Sequence, residues 1–108
     1  TVKEYLDTED INELRPTRGN KLNSTPYFST VLCMYSYNQD VEAIKACLKL
    51  GANPAIVDSL GLNAVEYILM GFDADEKLKR KLVKRCLKIS PDLTVCDDLH
   101  SQFEESRA

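Results

Sequence analysis

DVEAIKACLKLGANPAIVDSLGLNAVEYIL, residues 40–69, is the stretch on which the fold turns. Its first half sets Val41, Ile44, Leu48 and Leu50 at helical spacing, with Glu42, Lys45 and Lys49 between them, the pattern of an amphipathic helix. Gly51 ends that helix, because a residue without a Cβ enters the left-handed conformation that closes a last turn. Pro54, three residues on, has no amide hydrogen with which to continue it. Asp58-Ser59-Leu60-Gly61 has turn chemistry, and Asn63 is suited to cap the helix that follows. The stretch predicts a helix, a glycine stop, a hairpin-like loop and the start of a second helix.

Towards the N-terminus, Thr30 to Tyr37 (TVLCMYSY) is an apolar segment of about two helical turns. Thr30 can cap it, and Asn38-Gln39 separates it from Asp40, which caps the next helix. Residues 13–29 carry Pro16, Gly19, Asn20, Asn23, Ser24 and Pro26, which predicts a long extended loop. Its Arg15, Arg18 and Lys21 read as a solvated loop tip. Val2, Tyr5 and Leu6 share one face of a short first helix, ended by Asp10-Ile11-Asn12. Towards the C-terminus, a connector at 71–75 leads to EKLKRKLVKRCLKI, residues 76–89. That strongly amphipathic helix is expected to turn Leu78, Leu82, Val83, Cys86, Leu87 and Ile89 inward and its seven Lys and Arg residues outward. Ser90-Pro91-Asp92 stops it, and a last helix is expected from Leu99 to Glu105.

Composition bounds the class. At 108 residues, 44% hydrophobic and 29% charged, the chain suits a single soluble domain with a core of its own. A net charge of −3 argues against a general nucleic-acid binder, whose footprint is basic. No apolar run approaches the roughly 18 residues of a membrane span. The N-terminus lacks the layout of a signal peptide, and the absence of Met at position 1 points to a piece of a longer chain. The four cysteines form no CxxC pair, and three lie in apolar helical patterns. They read as reduced core thiols in an intracellular, cytoplasmic or nuclear protein.

The chain also repeats. Val2 to Asn12, Val41 to Ala55 and Leu82 to Thr94 can be laid on one another, and Cys47 and Cys86, 39 residues apart, take the same place in their units. So do Leu48 and Leu87, and Gly51 and Ser90. The pattern resembles the ankyrin repeat, whose unit is a turn, a short inner helix, a tight loop and a longer outer helix. Thr30-Val31-Leu32-Cys33-Met34-Tyr35 and Asn63-Ala64-Val65-Glu66-Tyr67-Ile68 stand where that family has T-P-L-H-x-A, and Gly51-Ala52-Asn53 resembles its Gly-Ala-Asp. Val31 and Ala64 replace the family proline, Cys33 and Glu66 its histidine, and the spacing exceeds its 33 residues. The resemblance implies an all-α, ankyrin-like helical solenoid forming one domain over 1–108. Its parts would be a partial outer helix and long loop (1–29), repeats at 30–62 and 63–98, and a C-terminal cap or tail (99–108).

Nothing in the pattern predicts an enzyme, a metal site, a cofactor or a small-molecule substrate. Cys96 and His100 could supply two metal ligands where zinc takes four. Gly19, Gly51, Gly61 and Gly71 lie too far apart for a phosphate loop. The resemblance implies instead a protein-interaction module, a monomer or part of a larger chain, that binds another protein through its concave face and hairpin tips. Carried over, that face comprises Tyr27, Tyr37, Asn38, Val57, Ser59, Leu60, Leu62 and Met70. It also makes Asn12 the position matching a hydroxylated asparagine of the family. The alternative is a structural spacer, or an electrostatic binder of acidic partners or anionic surfaces through the basic face Lys77, Lys79, Arg80, Lys81, Lys84, Arg85 and Lys88.

Overall fold

The computed structural model describes residues 10–16, 27–71 and 75–107. The expected first helix, most of the 13–29 loop and the middle of the 71–75 connector lie outside the described residues. Five α-helices dominate: α1 (Val31–Tyr37), α2 (Val41–Lys49), α3 (Ala64–Met70), α4 (Glu76–Ile89) and α5 (His100–Arg107), the last preceded by a 3₁₀ turn at Asp97–Leu99. Two short strands, β1 (Arg15–Pro16) and β2 (Phe28–Ser29), pair antiparallel with Arg15 opposite Ser29. The 13–29 stretch is therefore not wholly irregular. Pro16 is tolerated there because it stands on an edge, where its missing N–H breaks no ladder.

Helices α1 to α4 each begin where a short polar side chain can accept a free N–H. Thr30 accepts from Cys33 N, Asp40 from Ala43 N and Asp75 from Leu78 N. Asn63 and Glu66 form a reciprocal capping box, each accepting the other's backbone N–H at 2.9 Å. Gln39 (φ 58°) turns the chain between α1 and α2, and Gly51 (φ 96°) ends α2, as the sequence predicts. α1 and α3 have only seven residues each, too few to be stable alone, so tertiary packing holds them.

α1 packs on α2 and on α3, α3 on α4, and α4 on α5. One continuous core runs through them, from Leu32 and Ile44 through Val65, Ile68 and Leu69 to Leu82, Val83 and Phe103. Cys33, Cys47 and Cys86 fill it as small apolar groups. Lys79 departs from the expected outward face: it is only 2% exposed, with Nζ 3.4 Å from Gln102 Oε1 of α5 and 3.7 Å from Glu76 Oε1. At 100° per residue it stands between Leu82 and Val83 on the apolar side, so α5 covers it. Ile89, expected inside, is 43% exposed, and Leu50, beyond the end of α2, is 49% exposed.

The loops at 10–12 and 53–55 repeat one device. Asn12 N donates to Asp10 Oδ1 and Ala55 N to Asn53 Oδ1, the same Asx turn twice. In each loop the next apolar residue goes inward: Ile11 packs on the core, and Pro54 and Leu93 are buried. Successive loops are also tied together. Asn12 Oδ1 accepts from Asn53 N at 2.7 Å while its Nδ2 donates to Gly51 O, and Asn53 Oδ1 accepts from Ser90 Oγ at 2.8 Å.

Candidate functional site

The hairpin tip at 58–62 is built around one carboxylate. Asp58 N donates to Leu62 O and Gly61 N to Asp58 O, both at 2.9 Å, which closes the turn with Gly61 at φ 82°. Asp58 Oδ1 accepts from Leu60 N and Leu62 N at 2.9 and 3.1 Å. Its other oxygen accepts two phenols: Tyr27 OH at 2.6 Å and Tyr67 OH, whose oxygens are 2.9 Å apart. Asp58 is buried, so these four donors replace the water it has lost. Burial, followed by the bond to Asp58, raises the pKa of both Tyr27 and Tyr67 above the usual 10.0, so both resist ionisation.

This carboxylate fastens three pieces of chain: the segment entering β2, the hairpin tip and helix α3. The tip is pinned again by Phe28, whose N–H donates to Ser59 Oγ at 2.9 Å and whose carbonyl accepts from Ser59 N at 3.0 Å. Tyr37, at the end of α1, sets its ring edge-on to Tyr67, with centroids 5.8 Å apart and planes at 89°. A connected strip results, running Tyr37–Tyr67–Tyr27–Asp58–Ser59–Phe28. Above it stand exposed apolar groups: Tyr37 at 70%, Leu60 at 68% and Phe28 at 39%, with Met70 one helical turn beyond Tyr67.

Tyr27, Tyr37, Ser59 and Leu60 are thus brought together, with Met70 beside them. Asn38 is exposed at the C-cap of α1. Leu62 is half-buried against the core, and Val57 faces elsewhere. It lines a shallow open depression of about 420 Å³ with Gly61, Asn63, Glu66 and Val95, between the hairpin and the 92–96 segment. Asp58 and Tyr67 are the residues that sequence reasoning missed as parts of the site. A tyrosine in a mostly apolar helix was the available signal, since its hydroxyl needs a partner once buried.

The remaining candidates stand apart. Burial, the largest cause in each case, pushes the Cys33 and Cys47 thiols up to about 11 and Cys86 to about 12, so they stay protonated at neutral pH. His100 Nε2 lies 3.9 Å from Glu104 Oε1. Among the described residues no group of three or more His, Cys, Asp or Glu side chains is placed to hold a metal ion. Both amide atoms of Asn12 are engaged in tying the loops. On α4, Lys77, Arg80, Lys81, Lys84 and Lys88 are exposed and Arg85 half-buried. None of these six forms an ion pair with a described residue. No described helix is long and apolar enough to cross a membrane. Comparison with protein-family models, with curated proteins and with solved structures finds no match.

Proposed function

We propose that this chain is a non-enzymatic protein-interaction module made of two divergent ankyrin-like units, residues 30–62 and 63–98. The equivalence of the units is supported by their contacts. The third residue of each inner helix reaches the backbone of the hairpin that follows: Cys33 Sγ lies 3.8 Å from Ile56 O, and Glu66 Oε2 accepts from Cys96 N at 3.1 Å. The Asn53–Ser90 bond likewise links the loop that ends one outer helix to the loop that ends the next. Stacking of this kind gives a rigid surface, so a partner docks with little ordering cost in the scaffold.

The observation that carries the binding role is the exposed strip of Tyr37, Met70, Leu60 and Phe28 over the buried Asp58 cluster. Large apolar groups on a hydrogen-bonded, immobile base are what an apolar segment of another protein can anchor to. Leu60→Glu tests it. A partner captured from lysate with the unaltered chain and identified by mass spectrometry should bind this variant at least about ten-fold more weakly, the loss expected of an anchor residue. The helical circular dichroism should not change, since Leu60 is 68% exposed. Undiminished capture would remove the tip from the binding face.

A further inference from the structure

We propose that the outer face of α4 docks onto the headgroups of an anionic lipid bilayer. Helix α4 carries seven Lys and Arg residues and one acidic residue, in a chain whose net charge is −3. The rest of the chain therefore carries a net charge of −9. Lys77, Arg80, Lys81, Lys84, Arg85 and Lys88 fall within about 140° of the helix circumference at 100° per residue. The structure leaves these six without ion-pair partners among the described residues while it takes Lys79 inside. A molecule with one cationic face and an acidic remainder is oriented by a broad negative plane, which attracts the face and repels the rest.

Two further features favour lipid over other polyanions. Lys45, Lys49 and Leu50 of the first unit correspond, 39 residues on, to Lys84, Lys88 and Ile89 of the second. Leu50 and Ile89 are both half-exposed beside exposed lysines, and the Asn53–Ser90 bond holds their loops side by side. Apolar tips among lysines suit a headgroup–acyl boundary and add nothing to a phosphate backbone. No aromatic or amide side chain stands on α4 to stack on or read a base. Lysine outnumbers arginine on the face, which suits diffuse attraction rather than bidentate phosphate recognition.

The test is co-sedimentation of the full 108-residue chain with vesicles of phosphatidylcholine containing one-third phosphatidylserine, against phosphatidylcholine alone. Selective binding to the acidic vesicles is expected, falling steeply as salt shortens the screening length to about 10 Å at 0.1 M. Lys81→Gln/Lys84→Gln/Lys88→Gln should weaken it about one-hundred-fold, at roughly five-fold per cation. These side chains are exposed, so the variant's unfolding curve should overlay that of the parent. Leu50→Ser/Ile89→Ser should weaken vesicle binding but leave any binding to polyglutamate or single-stranded DNA unchanged. Failure to bind acidic vesicles at low salt would overturn the proposal. So would equal affinity for polyglutamate or DNA together with indifference to the Leu50 and Ile89 changes. Either result leaves the tip-binding reading untouched, because Leu60 lies outside this face.

Discussion

Two buried charged side chains show how differently a charge can be accommodated. Asp58 receives four hydrogen bonds, from Leu60 N, Leu62 N and two tyrosine hydroxyls, and removing it would strand both amides and one hydroxyl, the two phenols being able to bond only each other. Lys79 is covered by α5 and meets Gln102 and Glu76, of which Glu76 is mostly exposed. Losing the ammonium leaves both of these partners free to hydrate. Lys79→Met keeps the length and apolar volume of the stem while sparing the cost of desolvating the charge. The variant should be as stable as the parent or up to about 2 kcal/mol more so, as read from a urea melt. A clear loss of stability would mean that the ammonium contacts outweigh its desolvation. The position of Lys79 was legible: helical spacing alone places it between Leu82 and Val83. Grouping it with its charged neighbours by residue type hides that.

At the scale of elements, Asp58 joins the hairpin tip to Tyr27 and to α3, while the two Phe28–Ser59 bonds join the tip to β2. Asp58→Ala is expected to cost about 1–3 kcal/mol for each buried donor it leaves without an acceptor. It should also loosen the tip, which loss of amide protection at Leu60 and Leu62 would report, since their N–H groups lose the Asp58 acceptor. An unfolding midpoint close to that of the parent would show that water takes over the acceptor role. The helices themselves were readable from sequence, because Thr30, Asp40, Asn63 and Gly51 are local signals that act within a turn or two. The clasp was not, because Tyr27, Asp58 and Tyr67 meet across 31, 9 and 40 residues and nothing local marks the meeting. The β1–β2 pairing was hidden for the same reason, each strand being only two residues long.

The whole molecule should weaken in alkali. The thiols of Cys33, Cys47 and Cys86 are raised from 9.0 to about 11, 11 and 12, and Tyr27 and Tyr67 are raised above 10.0. Each folded value lies above its unfolded one. Between pH 9 and 12 the unfolded chain has therefore lost protons that the native one keeps, and stability falls as pH rises. Below pH 9 these groups add no slope. Denaturation midpoints should be flat from these groups up to pH 9 and decline beyond it, with the buried tyrosines ionising only as the fold is lost. Constant midpoints up to pH 12 would contradict the burial of these side chains. Two sets of bonds also differ in their commerce with water. The Asn12, Asn53 and Ser90 bonds along the loop edge are exposed, so solvent can substitute for each at little cost. The Asp58 bonds are part-buried or buried, so water replaces them less readily. Thermal breathing is thereby given an order: the contacts between the loops open first, and the tyrosine–Asp58 bonds open later.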